Sequence, residues 1–92
     1  MNQRKTPESP RIVARLKAAL GSEGAICRAL GIPDNYTTKW KQTGYIPERW
    51  ALDIHRLNVT DEWGAITAMT VLYEAEACRM RMIREIDEQR SR

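Results

Sequence analysis

The chain has 92 residues and a mass of 10.6 kDa, which suits one small domain. Hydrophobic residues make up 42%, too many for a disordered polymer, and no apolar run approaches the length of a membrane span. The net charge of +3 is unevenly spread: residues 1–57 carry ten Lys/Arg against five Asp/Glu, and residues 58–92 carry five against seven. A basic front followed by a slightly acidic tail points the first part towards a polyanion.

Residues 1–9 read as a flexible basic arm. Arg4 and Lys5, with Arg11 just beyond, either reach a nucleic-acid backbone or minor groove or stay uninvolved. Met1–Pro10 lacks the apolar stretch of a signal peptide, so a cytoplasmic protein is expected. Ser9-Pro10 offers an N-cap and a proline at the first helical position, opening a helix with Ile12, Val13, Leu16 and Leu20 on one face and Gly21 as its stop. Ser22 caps a short second helix with Ile26, Cys27 and Leu30 inward, ending at Gly31. A third helix begins around Pro33-Asp34, buries Trp40 and stops at Gly44. A fourth starts at Pro47 with Trp50, Ala51, Ile54 and Leu57 inward.

Residues 60–92 contain no proline and a single glycine, Gly64. Ile66, Met69, Tyr73, Ala77, Met80 and Ile83 step by three or four and predict one long helix from Thr60, kinked near Gly64. Leu72, Ala75, Met82 and Ile86 widen its apolar stripe, and Arg81–Glu85 and Arg84–Glu88 add i,i+4 support. Trp63, Ile66 and Met69 are expected to dock this helix on its own domain. Tyr73, Ala77, Met80 and Ile83 are left for dimerisation. No segment alternates long enough to predict a strand.

Two short helices joined by Gly31-Ile32-Pro33 form a helix-turn-helix candidate. The second helix of such a pair lies in the DNA major groove, so it needs an inner anchor and a polar outer face. Trp40 supplies the anchor. Asn35, Thr38, Lys39 and Gln42 supply the face: Asn and Gln hydrogen-bond base edges, Lys reaches a guanine or a phosphate, and Thr reads a phosphate or a thymine methyl. Lys41 stands either on that face or on its flank. Tyr36 and Tyr45 either bond a phosphate or are partly buried. His55, the single histidine, reads as structural.

The stretch LGSEGAICRALGIPDNYTTKWKQTGYIPERW resembles the Cro-like and lysogeny-activator-like phage regulators of the lambda repressor-like superfamily. The likeness covers about residues 16–57 and is carried by Leu30, Gly31 and Ile32 at the turn, Trp40 and Lys41 after it, then Ile46 and Pro47. Cys27 stands where alanine is usual, and Thr37 replaces a usual Val or Ile, adding a hydroxyl that needs a partner. The resemblance implies an all-α fold of four to five helices, with residues 10–58 as the DNA-binding domain; residues 60–92 lie outside the likeness and are expected, from their own apolar stripe, to form a long C-terminal dimerisation helix. It also implies that the positions of Asp34, Asn35, Thr38, Lys39 and Gln42 approach bases and nearby phosphates. Asp34 is awkward beside phosphates; capping the third helix is its first expected role, bonding a cytosine amino group the alternative.

No Ser/His/Asp or Cys/His constellation, phosphate-cradling glycine loop or metal-ligand cluster appears, so no enzyme, cofactor or metal is expected. Cys27 and Cys78 read as buried small hydrophobes of a reduced protein. The expected function is sequence-specific binding of a palindromic double-stranded DNA operator by a homodimer, in a transcriptional regulator with repression the first expectation and activation the alternative. The rival is a protein-binding module, such as an antitoxin whose C-terminal helix covers a partner protein.

Overall fold

The computed structural model describes residues 10–90, so the basic arm at residues 1–9 and the Ser9 cap lie outside the described residues. The chain is mostly helical: α1 (Ile12–Leu20), α2 (Glu23–Leu30), α3 (Asn35–Thr43), a 3-10 turn (Glu48–Trp50), α4 (Ala51–Arg56) and α5 (Ala68–Arg90). Among the described residues, no helix is long and apolar enough to cross a membrane.

The boundaries of α2 and α3 follow from local chemistry. The Ser22 hydroxyl accepts from the Ala25 amide at 3.0 Å, and Gly31, in the left-handed region at φ 69°, closes α2. Gly44 closes α3 in the same conformation. Helix α1 starts two residues later than Pro10 suggests, because its cap comes from a distant segment. The Glu74 carboxylate, on α5, accepts from the Ile12 amide at 2.9 Å. Burial pushes the Glu74 carboxyl above its usual range.

The predicted continuous helix from Thr60 is replaced by a tight antiparallel hairpin, β1 (Thr60–Asp61) and β2 (Gly64–Ala65), with Thr60 opposite Ala65 and Asp61 opposite Gly64. Asp61 accepts from the Trp63 amide at 2.8 Å, which fixes the turn, and Gly64 takes a φ of 108°. Arg15, only 5% exposed, clamps this hairpin to α1. Its Nε donates to Asp61 Oδ2 at 2.9 Å, and its Nη2 donates to Asp61 Oδ1 at 2.6 Å and to the Gly64 carbonyl at 2.9 Å. The guanidinium holds the Asp61 carboxyl below the usual carboxylate range.

Helix α5 therefore begins at Ala68. The Thr67 and Thr70 hydroxyls each accept from the other residue's amide, at 3.3 and 3.2 Å, and His55 Nδ1 accepts from the Ala68 amide at 3.0 Å. The single histidine is structural: it caps the last helix. With this later start, Val71, Ala75 and Cys78 face the domain. Of the three expected docking residues only Ile66 is buried; Trp63 sits at the hairpin turn, 40% exposed, and Met69 is 55% exposed.

One apolar core joins all these parts. Ile12, Leu16, Ile26, Trp40, Ile46, Ile54, Ile66 and Val71 belong to a single cluster, so residues 66–71 complete the domain and are not a separate unit. Both cysteines are buried thiols. Past Arg79, whose guanidinium pairs with Glu48 at 2.8 Å, every residue from Met80 to Arg90 is exposed.

Candidate nucleic-acid interface

Helix α3 has one inner side and one outer side. Thr37 and Trp40 are buried, and the Trp40 ring meets Tyr36 edge-on at 6.3 Å and Trp50 at 6.3 Å. Tyr36 also stands edge-on to Trp50 at 5.9 Å. The three rings fasten α3 to the 3-10 turn, and Tyr36 is accordingly half-buried in ring packing. The buried Thr37 hydroxyl finds two partners, Glu23 Oε1 and the Asp34 carbonyl, each at 3.2 Å. That answers the need raised by a threonine at an inward position.

Asn35, Thr38, Lys39 and Gln42 are all exposed. At 100° per residue the four fall within roughly 100° of arc, on the side away from Thr37 and Trp40. None of the four side chains makes a hydrogen bond or ion pair with another described residue. The surface thus offers two amides, a hydroxyl and an ammonium in one row, with their donors and acceptors turned to solvent.

Two of the expected positions behave differently. Asp34 is exposed at the head of α3, but it makes no side-chain cap bond. Its backbone is already helical at φ −63°, ψ −26°, whereas a capping carboxylate needs an extended residue to swing back to the amides. Lys41 lies on the flank: its Nζ donates to Glu23 Oε2 at 2.7 Å. That contact, with Thr37 on the other oxygen, holds the Glu23 carboxyl below its usual range and ties the start of α2 to α3. Arg11, taken as part of the basic arm, instead turns a guanidinium nitrogen to Cys78 Sγ at 3.4 Å.

Arg49 lies outside the helix-turn-helix motif legible in the sequence. It is exposed, lies 5.7 Å from the centre of the Trp50 ring, and shares a shallow cleft with Lys39, Thr43 and Tyr45 beside the end of α3. A signal existed, since a cation two residues after Pro47 falls at the head of the next helix. Arg28 is a further exposed cation, in the last turn of α2. Among the described residues, no group of three His, Cys, Asp or Glu side chains is placed to hold a metal.

Tyr73, Ala77, Met80 and Ile83 are all exposed on α5, away from the core. No protein-family model matches the chain, and neither a curated protein nor a solved structure does.

Proposed function

We propose that the protein is a sequence-specific regulator that binds double-stranded DNA as a homodimer, with α2 and α3 acting as a helix-turn-helix of the lambda repressor-like kind. The observation that carries this reading is the outer row of α3. Four polar side chains of base-reading type, without a hydrogen-bond or ion-pair partner among the described residues, stand on a helix whose opposite side is anchored by Trp40 and Thr37.

In this reading Asn35 and Gln42 contact base edges, Lys39 reaches a guanine or a phosphate, and Thr38 contacts a phosphate or a thymine methyl. Arg49 and Tyr45 flank the groove at the phosphates. Lys41 serves the scaffold through Glu23, and Asp34 supplies an acceptor at the edge of the row. One such helix reads only a few base pairs. A two-fold dimer reads paired half-sites about one helical turn, roughly 34 Å, apart, which implies a palindromic operator.

The exposed apolar side chains of α5 also suit a protein partner, so an antitoxin-like module is the second reading. Selection of bound duplexes from a random pool separates the two. Enrichment of a palindromic sequence, bound more tightly than its scrambled version at the same salt, is the expected result. Failure to enrich any sequence would refute DNA reading by α3.

A further inference from the structure

Helix α5 has more apolar surface than its own domain covers. Val71, Ala75 and Cys78 are buried, yet Met69, Leu72, Tyr73, Met80, Ile83 and Ile86 stand between about a third and two-thirds exposed. These six lie along one arc of the helix adjoining the packed face. Met69, Leu72, Ile83 and Ile86, with Glu76 and Arg79 between them, repeat at alternating steps of three and four, the spacing of a two-helix seam. Tyr73 and Met80 flank that seam, and Ala77 lies to its side.

The charges in the middle of the seam choose its partner and direction. In a parallel pair, Glu76 would face Glu76 and Arg79 would face Arg79. In an antiparallel pair centred between them, each Glu76 faces an Arg79. The same register places Leu72 against Ile83 and Met69 against Ile86, so all six layers match at once. Arg79 already meets Glu48 of its own chain at 2.8 Å, but a guanidinium has five donors and serves a second carboxylate. The register also centres the seam within two residues of the middle of α5, so nearly all of its roughly 35 Å length is used. The apolar area covered in both chains is on the order of 1,000 Å², about the least that a specific interface needs.

We infer that α5 pairs with α5 of a second copy in antiparallel orientation, its two-fold axis passing between Glu76 and Arg79. The bare half from Met80 onward then lies across Met69, Leu72 and Tyr73 of the other chain. A central charged layer among apolar ones fixes the register, because a shift of one heptad would bury Glu76 and Arg79 against apolar side chains. The inference rests on the homodimer proposed above and specifies how it is built.

The test uses Leu72→Cys and Ile83→Cys in the full chain, two surface positions whose loss leaves the core intact, with a short bifunctional thiol cross-linker. Cys27 and Cys78 are buried, and the unaltered protein serves as the control. The expected result is little cross-linking of either variant alone and efficient cross-linking when the two are mixed. Cross-linking of each variant with itself would overturn the antiparallel seam while leaving a homodimer. A protein that is dimeric by sedimentation yet cross-links in no combination would show that another surface pairs. A monomer at micromolar concentration would overturn both the seam and the homodimer, and the duplex selection would still decide DNA reading separately.

Discussion

Replacing Arg15 by Met keeps the aliphatic stem in the core and removes only the guanidinium. Three charge-assisted hydrogen bonds go with it, two to Asp61 and one to the Gly64 carbonyl. Such bonds contribute about 1.5–3 kcal/mol each in isolation, but they share one donor group and are not additive. Asp61 keeps about a fifth of its side chain in water, which softens the penalty of leaving it unpaired. A loss of about 3 kcal/mol is therefore expected. A domain of this size holds on the order of 5–10 kcal/mol in total, so the melting temperature should drop by roughly 15 °C. Thermal melts followed by circular dichroism, at one fixed protein concentration, measure this directly. Asp61→Asn should destabilise comparably, and the double variant should cost clearly less than the two single losses added. A fall of only a few degrees for Arg15→Met, or strict additivity in the double variant, would refute the clamp.

Gln42→Ala and Asn35→Ala should each weaken binding to the selected duplex by about 1–3 kcal/mol and barely affect random DNA; equal losses on both, by fluorescence anisotropy, would remove the base-reading role. Trp40→Ala should cost about 3–5 kcal/mol, roughly half of the domain's stability, and a variant as stable as the unaltered protein that had lost only DNA binding would put the ring on the reading surface instead. The carboxyls of Glu23, Glu48 and Asp61 are held low by Lys41, Arg79 and Arg15, so their stabilisation is present above the ordinary carboxylate range and lost as pH falls through their lowered values. Glu74 works the other way: its raised value makes stability fall as pH rises through the window from its unfolded value upward. The melting temperature of Glu74→Gln relative to the unaltered protein should therefore climb as pH rises above the ordinary glutamate range, and a flat or falling difference would contradict it.

What the sequence made legible was local. Ser22 with Gly31, and Gly44 after Trp40, are punctuation whose chemistry acts within a few residues, and the structure obeys it. The outer row of α3 was readable for the same reason, because helical spacing alone separates Asn35, Thr38, Lys39 and Gln42 from Trp40. The hairpin was not readable, since strands of two residues leave no alternation to detect. Its clamp joins Arg15 to Asp61 across 46 positions, and the α1 cap joins Ile12 to Glu74 across 62, distances at which neither periodicity nor motif spacing carries a signal. The late start of α5 followed from that miss. A helix continued back to Thr60 would carry the buried Ile66 on the side of Met69 and Tyr73, opposite the face that Val71, Ala75 and Cys78 turn to the domain, so the expected inner side falls on the wrong face. Thr67 and Thr70, three residues apart, were the available clue, and hydroxyls bonding each other's amides are a weaker pattern than a Ser–Glu box.

The outer row of α3 has an evolutionary consequence. Asn35, Thr38, Lys39 and Gln42 touch no other described side chain through a hydrogen bond or ion pair, while Trp40, Thr37, Glu23 and Lys41 fix the helix from behind. Exchanging any of the four for another helix-tolerant residue costs the fold only a few tenths of a kcal/mol. Mutations there are filtered by what the surface contacts and hardly at all by whether the protein folds. Under the proposed DNA reading, such a lineage can drift to a new target one side chain at a time, and a library of helix-tolerant residues at these four positions should consist almost entirely of folded members.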